Sequence, residues 1–275
     1  MEHISHGPLG ESVSYPEQYR PEILHPIPRF TGRDILGIGA VLPFDGVDIW
    51  NAYELSWLNS RGKPQVACAE FRFPASSSHI VESKSFKLYL NSFNQHRLDN
   101  VESLREVLAK DLSAACGAPV EVSVYTPAGW GEDLPLQSLS GVCLDRLDID
   151  VDCYSPNAGL LALAGGSGQQ RYFSDLLRSR CPVTAQPDWA SVAIELNGPM
   201  LDEEGLLRYL IAFRQKNDFH EQCVEQIFCD IINLAGDCEL TVYARYLRRG
   251  GLDINPWRSN CRPSLQAENL RLPRQ

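Results

Sequence analysis

The sequence has no C-x-x-C pair, no His/Cys cluster at metal-ligand spacing, no excess of basic residues and no long apolar run. Each absence removes a class of function. Nine scattered cysteines without a paired framework predict reduced thiols, and hence a cytoplasmic protein rather than a disulfide scaffold. Without clustered Cys and His ligands a zinc site is not expected. A net charge of −10 argues against nucleic-acid binding, which needs a basic face to release counterions. The longest uncharged window, residues 153–170, is broken by Pro156 and several glycines, so neither a transmembrane helix nor a membrane partner is expected. The opening Met-Glu-His-Ile-Ser-His lacks a basic stretch followed by an apolar run, so no signal peptide is expected.

What is present is a soluble globular composition, 44% hydrophobic and 22% charged over 275 residues, enough for about two domains. Residues 1–45 carry five prolines before Pro43 and read as an N-terminal arm with little regular structure. Val47–Leu58 and Gln65–Phe73 read as strands, and Glu82–His96 and Val101–Ala115 as amphipathic helices. Gly117 ends the second helix, and Val120, Val122 and Val124 alternate as a strand. The plan recurs 120 residues later without a gap. Phe86, Tyr89, Leu90 and Phe93 match Leu206, Tyr209, Leu210 and Phe213. Leu104, Val107, Leu108, Leu112 and Ala115 match Val224, Ile227, Phe228, Ile232 and Ala235. The fold class is therefore α+β, with two duplicated modules at 46–130 and 145–275, each an antiparallel sheet with a helix pair on one face. The joint falls in the Pro/Gly-rich stretch 125–144.

The stretch Cys181-Pro-Val-Thr-Ala-Gln-Pro-Asp188-Trp189 places a thiol seven residues before a carboxylate. Pro182 and Pro187 exclude helix and stiffen the loop, and Trp189–Leu196 alternates as a strand. A rigid loop holding Cys and Asp suits a nucleophile with its own proton donor, against the plainer reading of a packed cysteine. Ser83 is a candidate helix cap beside Lys84 and Lys87, which suits an anion, and Glu82 suits the N–H edge of a heterocycle. An ordinary capped amphipathic helix explains the same residues. Phe219-His220-Glu221 can stack on and hydrogen-bond a flat ligand, and Asp218 can also cap a helix with Glu221 at its third position. Arg245 and Arg248-Arg249-Gly250-Gly251, with Arg262 beyond, make a phosphate clamp or a solvated turn. Gly37-Ile-Gly lacks the third glycine of a dinucleotide fingerprint.

Glu82-Ser-Lys-Ser-Phe-Lys-Leu-Tyr-Leu-Asn-Ser-Phe-Asn94 resembles the signature of the nitrile oxidoreductases that reduce 7-cyano-7-deazaguanine. The Cys181–Trp189 loop, Phe219–Cys223, Arg248–Arg258 and Trp50–Leu58 resemble the long, two-module branch of that family. Ala185, at a variable position of the loop, and Asp218, at a position where Asn is expected, are small departures. The resemblance implies tandem tunnelling-fold modules, NADPH as hydride donor, and an aminomethyl-deazaguanine product on the queuosine tRNA-modification route. It implies Cys181 as the nucleophile forming a thioimide and Asp188 as the proton donor. Val81, Glu82, Ser83, His220 and Glu221 would hold the substrate, and Ser83, Lys84, Arg249 and Gly250 the cofactor, with no metal. A homodimer is expected, since the half-sheets close a barrel only with another chain. The alternatives are a zinc hydrolase of GTP-cyclohydrolase type, a cysteine hydrolase pairing Cys181 with His220, and a non-catalytic purine-binding protein.

Overall fold

A computed structural model describes residues 15–16, 18–261 and 266–275. The chain forms two compact units. Of the described residues, the first comprises 15–16, 18–31, 48–135 and 248–253, the second 32–47, 136–247, 254–261 and 266–275. In chain order the elements begin β1 (Pro26–Pro28), α1 (Arg29–Ile35), β2 (Asp45–Leu58), β3 (Pro64–Pro74), β4 (His79–Val81), α2 (Ser83–Asn91), α3 (Val101–Cys116), β5 (Glu121–Tyr125) and α4 (Trp130–Asp133). They continue with β6 (Val142–Cys143), β7 (Leu163–Ser174), β8 (Arg178–Arg180), β9 (Pro187–Leu201), α5 (Glu203–Ala212), α6 (His220–Ala235), β10 (Glu239–Tyr246) and β11 (Leu252–Ser259).

In the first unit the strands run in the order β5-β3-β2, with β5 antiparallel to β3. The β2–β3 turn is held by the Asn59 side chain, which accepts the N–H groups of Arg61 and Lys63, and by Gly62 at φ 82°. The apolar stripe of α2 seats Phe86 among Trp50, Phe71 and Phe73, with ring centroids 5.0–6.2 Å away. Asn100 caps α3 through the Ser103 N–H, and Gly117 closes it in the left-handed region at φ 77°. The arm is more regular than its prolines suggest. Pro26–Pro28 pairs antiparallel with His79–Val81, and Arg29–Ile35 is helical. Prolines at both ends of β1 leave Ile27 free to donate, so an edge pairing survives.

In the second unit the order is β11-β10-β9-β7-β6, and the short β8 also pairs with β9. β9 runs for 15 residues and is buried almost continuously from Asp188 to Leu196, as expected of a strand covered on both faces. The carboxylate of Glu225 on α6 accepts both Arg33, through Nε (3.0 Å) and Nη2 (2.8 Å), and Arg258, through Nε (3.1 Å) and Nη2 (2.9 Å). Both guanidiniums lie over the Phe44 ring, which meets Phe228 edge-on. This Arg–Glu–Arg group ties segment 32–47 to α6.

Corresponding features recur in the two units, at an offset that changes before the second helix of the pair. Glu82 and Asp202 cap α2 and α5, 120 residues apart, and each accepts the N–H three residues on. Tyr89 donates to Asp111 (2.7 Å) and Tyr209 to Asp230 (2.6 Å), joining the two helices of each pair. Yet Asp111 and Asp230 are 119 residues apart, as are the C-cap glycines Gly117 and Gly236. One residue is lost before the second helix, so buried Leu104, Leu108, Leu112 and Cys116 correspond to Cys223, Ile227, Ile231 and Ala235. α6 is buried over a wider face than α3, and apolar residues at both registers hid the slip. Glu225→Gln should lower unfolding stability by about 3 kcal/mol, because it leaves two buried cations without their anion. Urea denaturation checks this, and a loss under about 1 kcal/mol would show the triad to be incidental.

Candidate active site

The Cys181 loop belongs to the second unit. β8 leads into it and β9 leads out, with Ser179 opposite Asp188 and Arg180 opposite Pro187. The Cys181 N–H donates to the Gln186 carbonyl (2.9 Å) and the Ala185 N–H to the Cys181 carbonyl (3.0 Å), closing a compact turn. Ala185 sits at φ 56°, a left-handed conformation that costs a non-glycine residue about 1–2 kcal/mol. Cys181 and Asp188 are both buried. The neighbouring Trp189 is braced by the guanidiniums of Arg178 and Arg214, 5.3 and 5.2 Å from its ring centre.

His220 meets Asp188. Its Nε2 lies 3.4 Å from Asp188 Oδ2, and its ring stacks on Tyr246 at 3.8 Å with the planes 2° apart. Its Nδ1 is buried and makes no hydrogen bond among the described residues. His220 and buried Glu221 open α6, with Phe219 at the N-cap position. The cap differs from the expected one. Asp218 lies a residue too early, where it accepts the Phe219 N–H (3.0 Å) and pairs with Lys216 (2.9 Å), and Gln222, not Glu221, is third in the helix. Glu221 is thereby released from capping. Burial pushes the Asp218 carboxyl up, against the pull of Lys216.

In the first unit Glu82, not Ser83, caps α2. The fully buried Glu82 carboxylate accepts the N–H groups of Lys84 and Ser85, both at 2.7 Å. Its backbone N–H donates to the His25 carbonyl (2.8 Å), so the β1–β4 pairing positions it. Each carboxylate oxygen keeps a lone pair for a ligand N–H. Val81 is buried beside it, while Ser83 and Lys84 are half-buried at the helix mouth. Burial raises the Glu82 carboxyl above the ordinary range, more than its two backbone bonds and Lys87 lower it.

Arg248–Leu252 forms a tight turn in the first unit, with Arg249 and Leu252 bonded through their backbones. Gly250 and Gly251 lie at φ 57° and 76°, and a Cβ on Gly251 would come within 2.6 Å of Glu54. Gly250 thus lies beside Lys87, next to a cavity of about 20 Å³. Arg245 is not part of a phosphate clamp. It is buried and donates to Gln275, Tyr243 and Asn269. Arg262 lies outside the described residues. Among the described residues no three His, Cys, Asp or Glu side chains converge on a metal position, and no helix is long and apolar enough to cross a membrane. Sequence reasoning missed Tyr246, whose only signal was its place in an alternating strand.

Because Glu82 binds its proton more tightly folded than unfolded, its contribution to stability falls as pH rises from the ordinary carboxylate range through the raised value. The stability difference between wild type and Glu82→Gln should therefore shift against wild type between about pH 4 and neutrality. Denaturant titrations at several pH values test this, and a difference that is flat or moves the other way would contradict it.

The model for "Nitrile reductase, 7-cyano-7-deazaguanine-reductase N-term" matches residues 15–124, and that for "QueF-like protein" matches residues 187–264. A relative from Bordetella avium, named NADPH-dependent 7-cyano-7-deazaguanine reductase, is 56% identical over 96% of this chain and 97% of its own. Relatives of the same name from Burkholderia vietnamiensis and Chromobacterium violaceum are 55% and 54% identical, each over 98% of this chain and over 98% and 97% of their own. With both models and full-length relatives in agreement, this chain belongs to the 7-cyano-7-deazaguanine nitrile reductase family.

Proposed function

We propose that this protein reduces the nitrile of 7-cyano-7-deazaguanine to 7-aminomethyl-7-deazaguanine with NADPH, in queuosine biosynthesis, through a thioimide on Cys181. The observation that carries the reading is the pairing of Asp188 with His220, 3.4 Å apart, at the exit of the closed Cys181 turn. Its specificity rests on the names of the relatives.

The Cys181 sulfur adds to the nitrile carbon, forming the C–S bond while one C≡N π bond becomes an N–H. Asp188 delivers that proton to the nitrogen and is reprotonated between steps. NADPH, when bound, supplies a hydride to the thioimide carbon, and a second molecule supplies the next. After the first hydride the C–S bond breaks, the electron pair returns to Cys181, and an imine is left for the second reduction. Burial of Cys181 and Asp188 limits water, which would hydrolyse that imine. His220 and Glu221 on the second unit offer hydrogen bonds and a flat surface to the deazaguanine. Val81, Glu82 and Ser83 are read with them as substrate residues, as acceptors for its N–H edge. Ser83 and Lys84, with Arg249 and the open backbone at Gly250, suit the phosphates of NADPH. We read residues 46–130 and 145–275 as two tunnelling-fold modules behind an arm at 1–45, working as a cytoplasmic homodimer.

The test is mass spectrometry of the protein mixed with 7-cyano-7-deazaguanine and no NADPH. A single adduct on Cys181 that disappears in Cys181→Ala is expected, and wild type without an adduct would end the thioimide route. Asp188→Asn should slow reduction by on the order of a hundredfold. Reduction at the wild-type rate would remove Asp188 as proton donor.

A further inference from the structure

We infer that Tyr246 is a positioning residue, which sets the plane of the His220 imidazole and so holds its Nε2 toward Asp188. The inference rests on the proposed role of Asp188. His220 stands at the first position of α6, where the helix offers its side chain no hydrogen bond, and its Nδ1 has no partner among the described residues. Asp188 meets only one ring nitrogen. A single contact at 3.4 Å leaves the ring free to tilt about its Cβ–Cγ bond. The face-to-face stack on Tyr246, at 3.8 Å and 2°, forbids that tilt. Of the two ring flips that keep this plane, the facing carboxylate favours the one with Nε2 toward it.

Tyr246 is itself fixed on several sides. It is fully buried in β10, opposite Ala190 of β9. Its N–H donates to the Asn255 side chain (3.0 Å) and its carbonyl accepts from the Gln275 side chain (2.9 Å). Its hydroxyl is buried and has no hydrogen-bond partner among the described residues, so the backbone bonds and the ring packing fix it. Tyr246 therefore links the strand that carries Asp188, through the β10–β9 pairing at Ala190, to the first residue of the helix that carries His220.

Tyr246→Phe keeps the ring and should retain turnover and both KM values within about twofold. Tyr246→Leu removes the ring face. Single-turnover reduction should slow at least about tenfold, as expected when the residue that orients Asp188 is displaced, with the KM for NADPH unchanged and the Cys181 adduct still formed. The deciding measurement is a double-mutant cycle. If Tyr246 acts through His220, Tyr246→Leu should add no further loss to His220→Ala. An equal loss in both backgrounds, or undiminished reduction by Tyr246→Leu, would overturn the inference. Thermal unfolding monitors the fold, and Tyr246→Met replaces the Leu variant should that one not fold. Imidazole proton shifts of His220 in the free protein report the stack directly and should move in Tyr246→Leu but not Tyr246→Phe. If wild type forms no adduct and oxidises no NADPH, the reductase reading fails while the shifts still decide whether the stack exists.

Discussion

The pairing of β9 on both edges along its buried middle is the constraint on which the second unit depends. β10 runs along it from residue 239 to 246, β7 pairs with it from residue 163 to 174, and β8 holds its first three residues. Because its middle is buried, and paired on both edges from Val192 to Asn197, the strand cannot slip by one residue without turning those side chains to the wrong face. Asp188 sits at the start of this strand, so its position is inherited from the sheet rather than from the loop. The loop adds Cys181, closed by two backbone bonds and fastened below by the braced Trp189.

Buried charge is handled in three ways. Glu225 is matched by two arginines stacked on Phe44, a satisfied network that fastens segment 32–47. Glu82 spends its carboxylate on a helix N-terminus, where the backbone dipoles favour an anion, yet desolvation still raises its proton affinity. Arg245 is dispersed over neutral acceptors in Gln275, Tyr243 and Asn269. Among these, Glu82 keeps acceptor capacity at the mouth of a helix, as its sequence reading as a ligand residue requires. Arg245 shows the converse: an arginine near two glycines reads as a clamp until its burial is known.

The two halves share a helix pair bolted by a Tyr–Asp hydrogen bond, and they differ where the second helix begins. The first unit has a polar cap, Asn100, and the second has Phe219 followed by His220 and Glu221. Loss of one residue before α6 rotates its opening by about 100° relative to a gapless copy. A conventional cap is replaced there by an entry that frees His220 to meet Asp188.

The sequence by itself determined the elements whose signal is local: the amphipathic stripes of α2, α3, α5 and α6, the strands flanking the Asn59–Lys63 turn, and the exclusion of helix between Cys181 and Asp188. These follow from periodicity and from proline and glycine stereochemistry, which act within a few residues. The tertiary structure alone decided the pairing of the proline-rich arm with β4, the one-residue slip, the burial of Arg245, the cap at Glu82 in place of Ser83, and the Asp188–His220–Tyr246 assembly. Each of these joins residues tens to hundreds of positions apart, or depends on which of two polar groups desolvation leaves inside. Neither spacing nor composition carries that information, because the strand register that brings Tyr246 level with Ala190 is set by the whole sheet.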